Sequence, residues 1–118
     1  MSTALVVVDN SAQKHKITEY LQKNANFSLQ FPANVRQAME IVQNSAPNLI
    51  VICLLDHSHA AEKLCEAFRQ IKLINHVPIL LIQNQLPDRS TQIADAQLNE
   101  NFAEQEFTQI IRQFTMGY

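Results

Sequence analysis

Seven consecutive apolar residues, Leu49-Ile50-Val51-Ile52-Cys53-Leu54-Leu55, stand between Pro47-Asn48 and Asp56, and they constrain this chain more than any other stretch. The run is too short for a membrane helix, which needs about 20 apolar residues. It also lacks the alternation of a strand with one wet face, so it reads as a strand buried on both faces at the centre of a parallel sheet. Such a sheet needs a crossover between neighbouring strands, normally a helix, and the rest of the chain must supply those crossovers.

It does so in order. Ala4-Leu5-Val6-Val7-Val8 is a second buried-strand pattern, ending at Asp9. Ser11 is placed to cap a helix whose Ile17, Tyr20, Leu21 and Asn24 fall on one face. A short strand over 27–31 closes at Pro32, and Asn34 is a good N-cap for a helix carrying Val35, Ala38, Met39 and Val42, which Pro47 stops. A third helix from about His59 turns Ala61, Leu64, Cys65, Phe68 and Ile71 inward, and Pro78-Ile79-Leu80-Leu81-Ile82 is a further buried strand ending at Gln83. After Pro87-Asp88, the stretch Ser90 to Ala96 has only Ile93 as an apolar anchor, so a helix there is short. Gln97 to Asn99 makes a brief last strand, and Phe107, Ile110, Ile111 and Phe114 mark an amphipathic terminal helix covering its own sheet. Five strands alternating with helices give an α/β, doubly wound parallel sheet, whose functional crevice lies at the carboxyl ends of the strands.

Composition narrows the function classes. At 118 residues the chain fits one domain, 1–118. The sole glycine is Gly117, which excludes glycine-rich phosphate loops. A formal net charge of -2 with dispersed basic residues gives no electrostatic case for nucleic acid, and no run is long enough for a membrane. Met1-Ser2-Thr3 leads straight into apolar residues without a basic n-region, and the two cysteines, Cys53 and Cys65, lie in apolar patterns that suit buried, reduced thiols. The expected location is the cytoplasm. Met116 and Tyr118 lie past the last apolar stripe, as the start of a connector to further chain would.

Three landmarks carry a resemblance. Leu5-Val6-Val7-Val8-Asp9-Asn10 resembles the opening of response-regulator receiver domains, whose first strand ends in a pair of acidic residues. Pro47-Asn48 and the apolar run to Cys53 resemble that family's proline, aspartate, apolar run and phospho-accepting aspartate. Val77-Pro78-Ile79-Leu80-Leu81-Ile82-Gln83 resembles its fourth strand, which ends in Thr or Ser. The separations, 43 residues from Asn10 to Cys53 and 30 from Cys53 to Gln83, are those of a receiver. The resemblance covers nearly the whole chain and implies the flavodoxin-like (CheY-like) five-stranded parallel sheet of order 2-1-3-4-5. Only 17 residues separate Gln83 from Glu100, fewer than a receiver uses, which implies a shortened fourth helix.

The same resemblance implies that the chemistry is gone. A working receiver holds Mg²⁺ with its acidic residues and transfers a phosphoryl group to the aspartate; the hard ion wants oxygen ligands. Here Asp9 stays but Asn10 replaces the second acid, and Cys53 stands at the acceptor, where an apolar strand should keep a thiol protonated. Gln83 replaces the switch hydroxyl, Gln97 the reorienting aromatic residue, and Asn101 the proline that follows the phosphate-pairing lysine. Glu100 replaces that lysine with a charge that repels phosphate. Taking Asp56 as the strand-end carboxylate instead breaks both spacings by three residues, so it is read as a loop residue near the pocket. His57 and His59 near Cys53, Asp56 and Cys65 suggest a metal site only if their side chains converge, which a sheet cysteine and an interface cysteine should not do; the histidines read as solvated. Asp9 with Glu100 is too small a ligand set for a divalent ion. No metal and no cofactor is expected.

The expectation is therefore a degenerate receiver, not an enzyme, that binds a partner protein or its own effector region in a bacterial pathway. Three alternatives stand beside it: residual phosphorylation at Asp56, a small molecule in the strand-end pocket, and a structural homodimerisation module.

Overall fold

The computed structural model describes residues 2–24, 27–55, 58–74, 76–83 and 94–116. Within them the chain runs β1 (Ser2–Val8), α1 (Ser11–Asn24), β2 (Phe27–Gln30), α2 (Val35–Asn44), β3 (Leu49–Cys53), α3 (Ser58–Gln70), β4 (Ile79–Gln83), β5 (Ala96–Asn99) and α4 (Glu104–Met116). The five strands are parallel in the order β2-β1-β3-β4-β5, which puts the seven-residue apolar run at the centre.

All five residues of β3 and all five of β4 are buried, because helices cover both faces of the sheet. Alternation along the strands sorts their side chains into two layers. Leu5, Val7, Ile50, Ile52, Ile79 and Leu81 meet α2 and α3 through Ala38, Val42, Ala61, Leu64, Cys65 and Phe68. Ala4, Val6, Leu49, Val51, Cys53, Leu80 and Ile82 meet α1 and α4 through Ile17, Leu21, Phe107 and Ile111. Burying a Val, Leu, Ile or Phe side chain stabilises by about 1.5–3 kcal/mol, so the many such residues in these layers are what hold the sheet. The two cysteines, both free, are separated by the sheet itself.

Three details differ from the sequence reading. The strand expected to reach Leu55 ends at Cys53, where its pairing with Val8 is the last of the β1 register. Val35, expected on the inner face of α2, sits in the first turn and is 42% exposed; Ala38 and Val42 carry the burial. The cap of α1 is Asn10 rather than Ser11: the Asn10 side-chain oxygen accepts from the Gln13 N–H at 3.0 Å and its carbonyl from the Lys14 N–H at 2.9 Å. Asn34 caps α2 as expected, accepting from the Gln37 N–H at 2.8 Å. The short helix expected between Ser90 and Ala96 lies largely outside the described residues; of that stretch, Ala94 and Asp95 form a bend leading into β5.

That bend is anchored. The Asp95 carboxylate accepts from the Ile79 N–H at 2.8 Å and pairs with the Arg69 guanidinium, which also donates to the Val77 carbonyl at 3.0 Å. One carboxylate thus ties the end of α3, the entry to β4 and the entry to β5.

Candidate functional site

The carboxyl ends of β1, β3, β4 and β5 bring Asp9, Asn10, Cys53, Gln83 and Glu100 to one end of the sheet. Asp9 is exposed and its N–H donates to the Cys53 carbonyl at 3.3 Å, extending the β1–β3 ladder by one bond. Asn10 is half-buried, and its side-chain oxygen is committed to the start of α1.

Cys53 is 0% exposed and packs in the layer shared with Ile17, Phe102 and Phe107. Its thiol is pushed up from 9.0 to about 12, chiefly by burial, then by the negative charges of Asp9 and Glu100, with Lys16 opposing them. At neutral pH the group is a protonated, enclosed thiol, and neither a nucleophile nor a metal ligand works in that form. Gln83, 1% exposed, is the sole buried polar residue among those described; its side chain follows the alternation of β4 onto the α2–α3 side, opposite to Cys53.

Glu100 lies in the turn between β5 and α4. Its N–H donates to the Gln83 carbonyl at 3.0 Å. The Asn99 side chain accepts from the Asn101 N–H, and the Asn99 carbonyl from the Phe102 N–H, both at 3.0 Å, so these residues shape the turn. What reaches this turn from across the fold is Lys16. Its ammonium stands 3.9 Å from the centroid of the Phe102 ring and 3.5 Å from the Glu100 carbonyl, to which Gln13 also donates at 3.1 Å. The sequence reading missed both Gln13 and Lys16. Their partners are 87 and 84 residues away, and nothing in the local pattern of α1 marks them.

The resemblance implies Mg²⁺, and the described residues do not fit it. A hard cation needs several oxygen ligands. Asn10 spends its oxygen on a helix cap, Cys53 offers a buried thiol, and the Glu100 carbonyl already accepts two donors. Among the described residues no three His, Cys, Asp or Glu side chains gather as a metal site. Asp56 and His57 lie outside the described residues, as does the side chain of His59.

No protein-family model matches the sequence, and no curated protein does. Solved structures match across almost the full length. The chemotaxis protein CheY4 of Vibrio cholerae superposes with a TM-score of 0.81 at 18% identity, covering 97% of this chain and 98% of that one. A signal receiver domain of a histidine kinase from Clostridium thermocellum gives 0.80 at 9% identity, covering 96% of each chain. The fold is that of receiver domains. A third receiver, from the sensor histidine kinase PA1611 of Pseudomonas aeruginosa, gives 0.75 at 20% identity and covers 99% and 98%; its structure has a magnesium ion coordinated in the active-site cleft. Across these three structures the fold is shared at identities of 9 to 20%. No helix among the described residues is long and apolar enough to cross a membrane.

Proposed function

We propose that this chain is a pseudo-receiver, a phosphorylation-independent protein-interaction module of two-component signal transduction. The observation that carries the reading is Cys53. The strand-end position that corresponds to the phospho-acceptor holds a fully enclosed thiol, pushed up to about 12 by burial and then by the negative charges of Asp9 and Glu100, and among the described residues no metal-binding cluster gathers there. A thiol cannot form the acyl phosphate that a carboxylate forms, and a carboxylate at 100 repels an incoming phosphate. Support for a signalling context comes from the neighbours, which are receivers of two-component systems.

On this reading the domain is not an enzyme. It is a cytoplasmic, bacterial module whose output is the surface it presents to a partner protein or to its own effector region, with no role for nucleic acid. Adding Mg²⁺ with acetyl phosphate or beryllofluoride to the ¹⁵N-labelled protein should leave its spectrum unchanged. Shift changes centred on Cys53 and Gln83 would refute the proposal. Intact-mass analysis with the phosphodonor, run beside Asp56→Asn, separates the remaining phosphorylation route: a gain of one phosphoryl group that the substitution abolishes places acceptance at Asp56 and overturns the reading.

A further inference from the structure

Two side chains of α1 converge on one backbone carbonyl at the far edge of the sheet. Gln13 donates its amide to the Glu100 oxygen at 3.1 Å, and Lys16 reaches the same oxygen at 3.5 Å while lying over the Phe102 ring. Phe102 in turn stacks on Phe107, centroids 5.4 Å apart, and meets Tyr20 of α1 edge-on at 5.9 Å. Beneath this junction is the apolar layer that holds Cys53 with Ile17 and Phe102, and the charges of Lys16 and Glu100 act on the thiol.

The junction is made of contacts that open more readily than the layers below it. The Gln13 amide gives one hydrogen bond, and its Oε1 is enclosed without a hydrogen-bond partner among the described residues, which offsets much of that bond. The Lys16 contact to the carbonyl is long, and its hold on Phe102 is a cation–π interaction at a half-buried site. Because the acceptor is a main-chain oxygen, the tie does not depend on the Glu100 carboxylate.

We propose that Gln13, Lys16 and the Glu100 carbonyl form a latch that fastens the start of α1 to the β5–α4 turn and closes this end of the domain over Cys53. The strand end then opens by parting of α1 from the turn, a local event short of unfolding. The inference stands on these contacts alone, so it survives or fails independently of the signalling role proposed above.

The fold supplies its own control. Cys65 is equally enclosed but belongs to the α2–α3 layer on the opposite side of the sheet, so opening the latch should leave it covered. The test is alkylation of the reduced, full chain with iodoacetamide at pH 8, followed at each cysteine by peptide mass. In Gln13→Ala/Lys16→Met, the Cys53 rate should rise at least tenfold while the Cys65 rate stays at its wild-type value. Lys16→Arg, which keeps a cation over the ring and a donor toward the carbonyl, should label as the wild type does. Single Gln13→Ala, a milder change, should raise the Cys53 rate alone by a smaller factor. An unchanged Cys53 rate in the double variant overturns the latch. So does a parallel rise at both cysteines in either Gln13→Ala variant, since that reports loss of global stability.

Discussion

The two enclosed thiols make the stability of this domain depend on alkaline pH in a way that can be worked out beforehand. Cys53 and Cys65 are each 0% exposed, and each is raised from 9.0 to about 12, chiefly by burial. A raised pKa in an acid that is neutral when protonated means that the fold favours the protonated form. The associated stability is complete below about pH 9 and is lost as pH rises toward 12, because the unfolded chain releases its protons first. Within that window each thiol removes about 1.4 kcal/mol per pH unit. From pH 8 to pH 10 the two together should remove about 3 kcal/mol, a large part of the 5–15 kcal/mol a domain typically has. Urea unfolding followed by circular dichroism, in the presence of a phosphine reductant, measures the loss in the wild type, Cys53→Ala, Cys65→Ala and the double variant. Packing losses in the variants are the same at both pH values and cancel. The double variant should lose about 3 kcal/mol less than the wild type between pH 8 and pH 10, and each single variant about half of that less. If all four proteins lose the same amount, the fold does not favour the protonated thiols over the unfolded chain, and the part of the argument against a reactive Cys53 that rests on a raised pKa fails.

Other outcomes follow from single contacts. Asp95→Ala strands the enclosed Ile79 N–H and leaves Arg69 without this partner, so urea unfolding should show a loss of about 1–3 kcal/mol; Asp95→Asn, which keeps an acceptor, should lose less. Asn34→Ala removes the α2 cap and should cost about 1 kcal/mol in the same assay. The exposed pair Lys23–Glu104, 3.4 Å apart between α1 and α4, should contribute at most about 1 kcal/mol in a double-mutant cycle, and less at high salt.

The strands were legible because burial on both faces leaves an unbroken apolar signature; Leu49 to Cys53 and Ile79 to Gln83 fall within two residues of where the pattern places them. The start of α1 was harder. Asn10 and Ser11 both have capping side chains, and a one-residue offset leaves the apolar periodicity of the helix unchanged, so only the hydrogen bond to Gln13 distinguishes them. Long-range polar contacts were not legible at all. The Arg69–Asp95 pair spans 26 residues, and the sequence drew attention to Glu100 through its side chain, whereas the latch uses its backbone. Asp9, Cys53 and Gln83 fall together at the strand ends because a parallel sheet brings the ends of β1, β3 and β4 to one edge whatever residues they carry.

The cap at Asn10 has a consequence for how this strand end can change by mutation. Asp caps a helix about as well as Asn, and a negative charge at a helix start is favoured, so an acid can enter at 10 with little effect on α1. Position 53 offers no such freedom, because a carboxylate there would be enclosed in the apolar layer that holds Ile17, Phe102 and Phe107, with the negative charges of Asp9 and Glu100 acting on it. The two positions are thus unequal barriers to building an acidic cluster here: the first is one tolerated substitution away, and the second requires the layer between α1 and α4 to be rebuilt around it.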